Sequence, residues 1–391
     1  MMTKTIMTKD EQEMLLGRRV EGLLTHADRE HFRGQVCLIT GAGGSVGSEL
    51  ARQIAMCDPA LLVLVEHSEH ALFTIERHLA EQAPGTPIQP VLCDITRASS
   101  VSRLLRRVRP HVVFHAAAYK HVPMAEDHAC AAARVNVLGT CALLAAAREV
   151  GARFVLVSSD KAAAPRSVMG ATKRLAELAV LAEQDLATRP VVVRFGNVLA
   201  SSGSFVEVMR ERIRQGQPLL VTDPDATRFF MTVTEAASLV MKASTIGRGG
   251  ETFWLDMGSQ VRIGDLTERL MRVARLQGLP PVPVRVVGLR PGEKLTEELA
   301  SQGTFMERTR DHRIWVARQK PINARQSLAW IRTLRRAVVK DDAVGVLNVL
   351  TSAVHDFAAS DRAWATAHEI QAGPASVQSR ARRAPRIRRV A

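Results

Sequence analysis

Residues 34–200 alternate short β-branched runs with longer helical patterns, and this alternation leaves the chain very few architectures to adopt. The runs cover 36–40, 61–65, 88–92, 112–115, 154–157 and 191–195, and they are apolar on both faces. Helical patterns fall between them at 45–56, 69–82, 99–108, 127–150 and 168–184. Strands without a polar face need helices on both sides, so the expected fold is α/β, a doubly wound parallel sheet of the Rossmann type. Residues 1–33 read as an N-terminal arm. From 201 to 315 the elements are shorter and broken by Gly and Pro, as in a smaller substrate-binding lobe interleaved with the sheet domain. Open sheets bind ligands at their C-terminal strand edges, where such a lobe would sit. Helical patterns return at 323–338 and 342–357 within a segment 316–372, and 373–391 is an arginine-rich tail expected to be disordered.

The first strand runs into Thr40-Gly41-Ala42-Gly43-Gly44-Ser45-Val46-Gly47, and a helix begins at once. Glycine at 41 permits a tight turn, and glycine at 44 lets a pyrophosphate approach the backbone. Glycine at 47 allows the helix to pack close on the strand. The helix N-terminus then offers free N–H groups and a partial positive charge to phosphates. An acid, Glu66, closes the next strand, where a carboxylate hydrogen-bonds ribose hydroxyls and repels a 2′-phosphate. Together these features predict a dinucleotide site that prefers NAD to NADP. Asp94, after the third strand, is placed either at the adenine edge or as a cap of the helix behind it.

Charge sets limits on partners. The formal net charge is +14, but Arg380, Arg382, Arg383, Arg386, Arg388 and Arg389 crowd the tail, and four more arginines (103, 106, 107, 109) close one helix. Without the tail arginines the rest carries about +8, modest for a large domain. Aromatics are 4% and none interleave with the tail arginines, so no stacking platform for single strands exists and no specific nucleic acid is expected. Weak contact of the tail with an anionic membrane surface is the remaining expectation. The five cysteines form no CxxC pair, and no His/Cys/Asp/Glu cluster has metal spacing. No apolar run approaches the ~18 residues of a membrane span and the N-terminus is polar, which predicts a soluble, cytoplasmic protein.

The Thr-Gly-x-x-Gly-x-x-Gly loop resembles the extended short-chain dehydrogenase/reductase superfamily. Further motifs narrow the likeness: His115 to Pro123, Asn136-Val137-Leu138-Gly139-Thr140 and Ser158-Ser159-Asp160-Lys161-Ala162. Met169-Gly170-Ala171-Thr172-Lys173-Arg174, Arg194-Phe195-Gly196-Asn197-Val198 and Arg290-Pro291-Gly292-Glu293-Lys294 complete the set. Together they resemble the CapD-like nucleotide-sugar 4,6-dehydratases of polysaccharide biosynthesis, over about residues 34–315. That resemblance implies NAD as cofactor, a UDP-N-acetylhexosamine as substrate and a homo-oligomer, a dimer first. It also implies that Ser45, Val46, Ile95 and Ala116, Ala117 and Ala118 line the dinucleotide. Two departures stand out. Only a stub precedes the catalytic region, in which Met14 to Arg18 resembles a connector, and the usual His-Pro-Lys reads His312-Arg313-Ile314.

Most short-chain dehydrogenases use Tyr-x-x-x-Lys, two residues one helical turn apart. Here the spacing survives as Met169-x-x-x-Lys173, and the chain's single tyrosine is Tyr119. A thioether exchanges no proton, so the C4 hydroxyl proton must go elsewhere: through Ser159, directly to Asp160, or to Lys173 through water. The dehydratases it resembles tolerate methionine there, and Asp160 with Lys161 offers a second acid–base pair at the fifth strand's end. Oxidation at C4 makes the C5 proton acidic; Lys161 would then remove it while Asp160 protonates the leaving C6 hydroxyl. Lys120 and His121, in the loop after the fourth strand, point to the sugar or diphosphate. Asn197 by resemblance contacts the nucleotide, Arg228 and Arg290 are candidate diphosphate clamps, and Glu293 resembles a uridine-ribose contact. The competing readings are an epimerase or reductase on the same scaffold, which would need the missing tyrosine, and a catalytically silent nucleotide-sugar-binding protein.

Overall fold

The structure, a computed structural model, describes residues 7–20, 24–183, 187–298, 304–318 and 322–372. The arginine tail and the first six residues lie outside the described residues.

Six parallel strands come first: β1 (Val36–Thr40), β2 (Leu61–Glu66), β3 (Ile88–Leu92), β4 (Val112–His115), β5 (Arg153–Val157) and β6 (Val191–Arg194). Three more complete the sheet: β7 (Glu251–Leu255), β8 (Met306–Arg308) and β9 (Ile314–Arg318). Their spatial order is β8-β9-β7-β6-β5-β4-β1-β2-β3, with β9 antiparallel to both its neighbours. The order reverses at β1 and β4, which opens a crevice at the C-terminal strand ends as doubly wound sheets do.

Burial explains why these runs became strands. One face of the sheet packs under the helices Ser45–Ala55 and Val233–Ile246, through Leu50, Ile54, Ala237 and Met241. The other packs under Ala98–Val108, Thr140–Glu149 and Val168–Leu181, through Leu104, Leu105, Leu144, Ala147, Ala176 and Val180. Strand β3 departs from the expected two-faced burial, because it is the sheet's edge and carries Pro90, which cannot donate to a ladder.

Three strands of the sheet come from beyond residue 200, so sheet and lobe alternate along the chain. Trp254 on β7 is buried and lies beneath the Arg194 guanidinium at 4.5 Å, so the later strand is tied to the earlier one by a cation–π contact as well as the ladder. The helix expected over 127–150 is broken at His128 and then widens into a π-helical turn, Arg134–Gly139. Such bulges mark places where a side chain must be re-aimed, and here Asn136 turns inward. The stretch Ala129–Glu149 is long and apolar enough to cross a membrane by composition, and 61% of its most apolar window is buried inside the fold.

Two outer layers complete the molecule. Helices Ala324–Val339, Ala343–Ala353 and Asp361–Ala372 cover the outer side of Val168–Leu181 through Leu334, Leu347, Leu350 and Ala363. The N-terminal helix Lys9–Leu16 packs Leu15 and Leu16 against Ile213, Leu266 and Leu270 of the lobe, and Arg18 pairs with Glu235 at 2.6 Å.

Candidate active site

The C-terminal ends of the strands and the lobe enclose a cavity of about 1490 Å³. Pockets for one drug-sized ligand run to ~1,000 Å³, so there is room here for two.

The glycine loop forms one wall, through Gly41, Gly44, Ser45, Val46 and Gly47. Gly41 is left-handed (φ 67°), and a Cβ there would stand 2.7 Å from the Ala117 nitrogen. A Cβ on Gly47 would collide with the Gly41 carbonyl. The helix from Ser45 has no side-chain cap, so its first turn opens onto the cavity ready for an anion. A dinucleotide pyrophosphate therefore fits the residues present. Ala116 and Ala118 continue the wall.

Other expected cofactor contacts are placed differently. Glu66 does not line the cavity: its carboxylate accepts the N–H groups of Gly43 (3.1 Å), His67 (2.9 Å) and Ser68 (3.2 Å), and so braces the glycine loop from behind. The free carboxylate expected at the ribose is thus engaged on backbone. Asp94 is exposed and accepts the Thr96 N–H at 2.9 Å, while Arg97 occupies the N-cap position of the following helix without a side-chain capping bond, so Asp94 is not its cap. Ile95 is buried behind Gly139, and Ala117 backs Gly41; neither lines the cavity.

Ser159, Lys161, Met169 and Lys173 meet on the opposite wall. Asp160 is fully buried behind them, so it does not face the cavity as expected; its Oδ1 accepts from Ser159 Oγ (2.8 Å), the Lys161 N–H (2.8 Å) and Lys161 Nζ (3.0 Å). Burial alone would pull the Lys161 ammonium down, but Asp160 and then Glu297 outweigh it and hold its pKa above the ordinary lysine value. Lys173 Nζ donates to the Val157 carbonyl at 2.6 Å, and burial lowers its pKa to about 8 against partial opposition from Glu177. His115, beneath the loop between the hydroxyls of Thr40 (2.7 Å) and Thr140 (2.8 Å), is pushed by burial and then Lys173 down to about 3, and stays neutral.

The lobe side is lined by Lys120, His121, Asn197, Arg228, Arg290 and Glu293, and several of them are engaged within the protein. Arg228 donates to the carbonyls of Thr227 (2.7 Å), Lys294 (2.6 Å) and Leu295 (3.0 Å), so it staples the 294–297 segment and is not a free diphosphate clamp. Arg290 and Glu293 bind each other, with Nε to Oε1 at 2.9 Å. Asn197 Oδ1 accepts from Lys161 Nζ at 3.3 Å, which puts it beside the Lys161–Asp160 pair. His121 is lowered by burial, then by Lys120 and Arg290.

A polysaccharide biosynthesis protein family model matches residues 37–319. The chain belongs to that family. Its similar relatives include the capsular polysaccharide biosynthesis protein CapD of Staphylococcus aureus, 40% identical over 299 residues, 75% of this chain and 50% of CapD. The probable polysaccharide biosynthesis protein EpsC of Bacillus subtilis is 40% identical over 293 residues, 74% of this chain and 49% of EpsC. The chain thus spans about half the length of these family relatives. Among solved structures, Pen from Bacillus thuringiensis is 28% identical with a TM-score of 0.68, over 75% of this chain and 88% of Pen. DesIV, a dTDP-glucose 4,6-dehydratase from Streptomyces venezuelae solved with NAD, is 23% identical with a TM-score of 0.60, over 68% of this chain and 88% of DesIV, and shares the fold.

Three residues of this family member escape sequence reasoning. Asn136 ties Tyr119 to the Thr172 hydroxyl (3.0 Å), and Glu177 gathers Ser158, Arg174 and Arg194 beneath the Asp160 turn. Glu297 reaches Lys161 from a lobe segment remote in sequence. Asn136 lay within a recognisable motif, and nothing local marked the other two.

Proposed function

We propose that this protein dehydrates a UDP-N-acetylhexosamine, UDP-N-acetylglucosamine first, to the 4-keto-6-deoxy sugar nucleotide for surface glycan synthesis. One observation carries the reading. A lysine on the cavity wall donates to a fully buried carboxylate behind it at 3.0 Å, while the tyrosine position holds methionine. That is the equipment of an elimination, and it lacks the phenol on which epimerases and reductases of this scaffold depend.

NAD, held by the glycine loop with Lys173 beside it, supplies the hydride acceptance at C4 and return at C6 that make the C5 proton acidic. Lys173, with its pKa near 8, takes the C4 hydroxyl proton through water in the space a tyrosine would fill. Transfer from Lys161 Nζ to Asp160 leaves an amine facing C5 and a protonated acid behind it. The amine accepts the C5 proton. Asp160 returns its proton through Ser159 Oγ to the departing C6 oxygen, which leaves as water. C5 then takes a proton back from Lys161, and the proton that Lys173 took from the C4 hydroxyl restores the ammonium, so the pair ends as it began, ammonium beside carboxylate. Lys120, His121 and Arg290 face the diphosphate, with Glu293 on the uridine ribose.

Incubation of the purified protein with UDP-N-acetylglucosamine tests this by product mass. A product lighter by one water supports the reading, and an isomer of unchanged mass or no product overturns it.

A further inference from the structure

Glu297 is costly where it stands. It is 5% exposed, and its Oε2 is buried without a hydrogen-bond partner. A buried carboxylate oxygen left unpaired is destabilising unless something else requires it. Its Oε1 lies 3.7 Å from Lys161 Nζ and 3.9 Å from Arg228 Nε. The backbone that carries it is fastened at several points. Arg228 holds the carbonyls of residues 294 and 295, the Thr227 N–H donates to Leu295 O at 2.8 Å, and Gln260 Nε2 donates to Glu297 O at 2.7 Å.

We propose that Glu297 is a positioning residue for Lys161, holding the amine at the cavity wall from the lobe side while Asp160 holds it from the sheet side. The inference rests on the dehydratase reading and assigns Glu297 no bond-making step. Two carboxylates then face one ammonium, with Arg228 as an opposing positive charge and Asn197 as a neutral contact. A lysine fixed from one side only could swing away from C5 when Asp160 takes its proton. With Glu297 3.7 Å away on the lobe side, the amine stays in place when Asp160 takes its proton, and the ammonium formed after C5 deprotonation meets both carboxylates again. The arrangement also couples the two halves of the molecule, because proton transfer is complete only when the lobe segment is docked on the sheet.

The test uses the full chain with Glu297→Gln and Glu297→Asp. In the substrate-free protein, Lys161 is titrated by NMR after reductive ¹³C-methylation, with Lys161→Met assigning its signal. Removing one carboxylate should lower the Lys161 pKa by about one unit in Glu297→Gln and by less in Glu297→Asp. With UDP-N-acetylglucosamine in heavy water, deuterium incorporation at C5 should fall by about 10²-fold in Glu297→Gln with KM nearly unchanged, and Glu297→Asp should recover part of it. An unchanged Lys161 titration, or a C5 step as fast as in the wild type, overturns the proposal. If Glu297→Gln does not fold, the smaller titration shift in Glu297→Asp decides. If the wild-type protein dehydrates no UDP-hexosamine, the function falls instead, and the titration alone upholds or overturns the Glu297–Lys161 pairing.

Discussion

The two walls of the cavity are built on opposite principles. The dinucleotide wall is backbone: glycines that admit no Cβ, an uncapped helix turn, and a carboxylate, Glu66, holding the loop by its N–H groups. The opposite wall, which the proposed function gives to the sugar, is side-chain charge, and nearly all of it is engaged within the protein: Arg290 on Glu293, Arg228 on carbonyls, Lys161 on Asp160 and Glu297. A backbone wall is complete before ligand arrives and costs little to use. A charged wall must exchange internal partners for ligand, and its affinity is a difference between two sets of contacts. On the proposed function the same exchange would serve catalysis, since a pair that can trade its partner can also trade its proton.

The largest break in this contrast comes from the reacting pair. Lys161→Met and Asp160→Asn should each slow dehydration by roughly 10²–10⁴-fold while leaving dinucleotide binding intact, read by product mass and calorimetry. Variants that keep near-normal turnover would remove the pair from the mechanism. In the wild type, reaction in heavy water should place one deuterium at C5, and a C4-deuterated substrate should deliver its label to C6. Loss of that label to solvent would break the scheme.

On the backbone wall the effect should be on binding and stability together. Gly47→Ala forces a methyl against the Gly41 carbonyl and should cost about 1–3 kcal/mol in a denaturant melt, with NAD affinity falling alongside. A full-affinity, fully stable variant would mean the loop is not held closed. The same wall predicts an acid limb. The unfolded chain protonates His115 near its ordinary value, whereas the folded protein waits until about 3, so the unfolded state binds the extra proton in between. Stability should therefore fall as pH drops through that window, by about 1.4 kcal/mol per unit from this residue. His115→Gln should flatten that slope in melts taken between pH 6 and 4, and an unaltered slope would assign it elsewhere.

The smallest effect should be on the exposed sugar-side pair. Arg290→Ala should raise the KM for UDP-N-acetylglucosamine about tenfold or less, with weaker salt dependence and little change in kcat. A fall in kcat with KM unchanged would move Arg290 from binding to chemistry.

Much of this was written locally in the chain. Strands β1 to β6 follow the β-branched runs to within a residue at each end, because a strand buried on both faces has no other composition available. The glycine loop was legible for a similar reason: a turn with no room for a Cβ leaves one residue type. Asp160, Lys161, Met169 and Lys173 could be named because one strand end and one helical turn fix their spacing.

Tertiary structure decided what spacing cannot express. Strands β7 and β9 join the sheet across more than fifty residues of lobe, and their partners are set by packing around Trp254. The π-helical turn at Asn136 exists because its amide must meet Tyr119 and Thr172 from separate segments. Glu66 turned to the loop, Arg228 to carbonyls and Asn197 to Lys161 because each found a nearer partner once the chain had folded. Residue types limit which bonds a side chain can make. Which bond it does make depends on burial and distance, and for Glu297 those arise only when the lobe closes over the sheet.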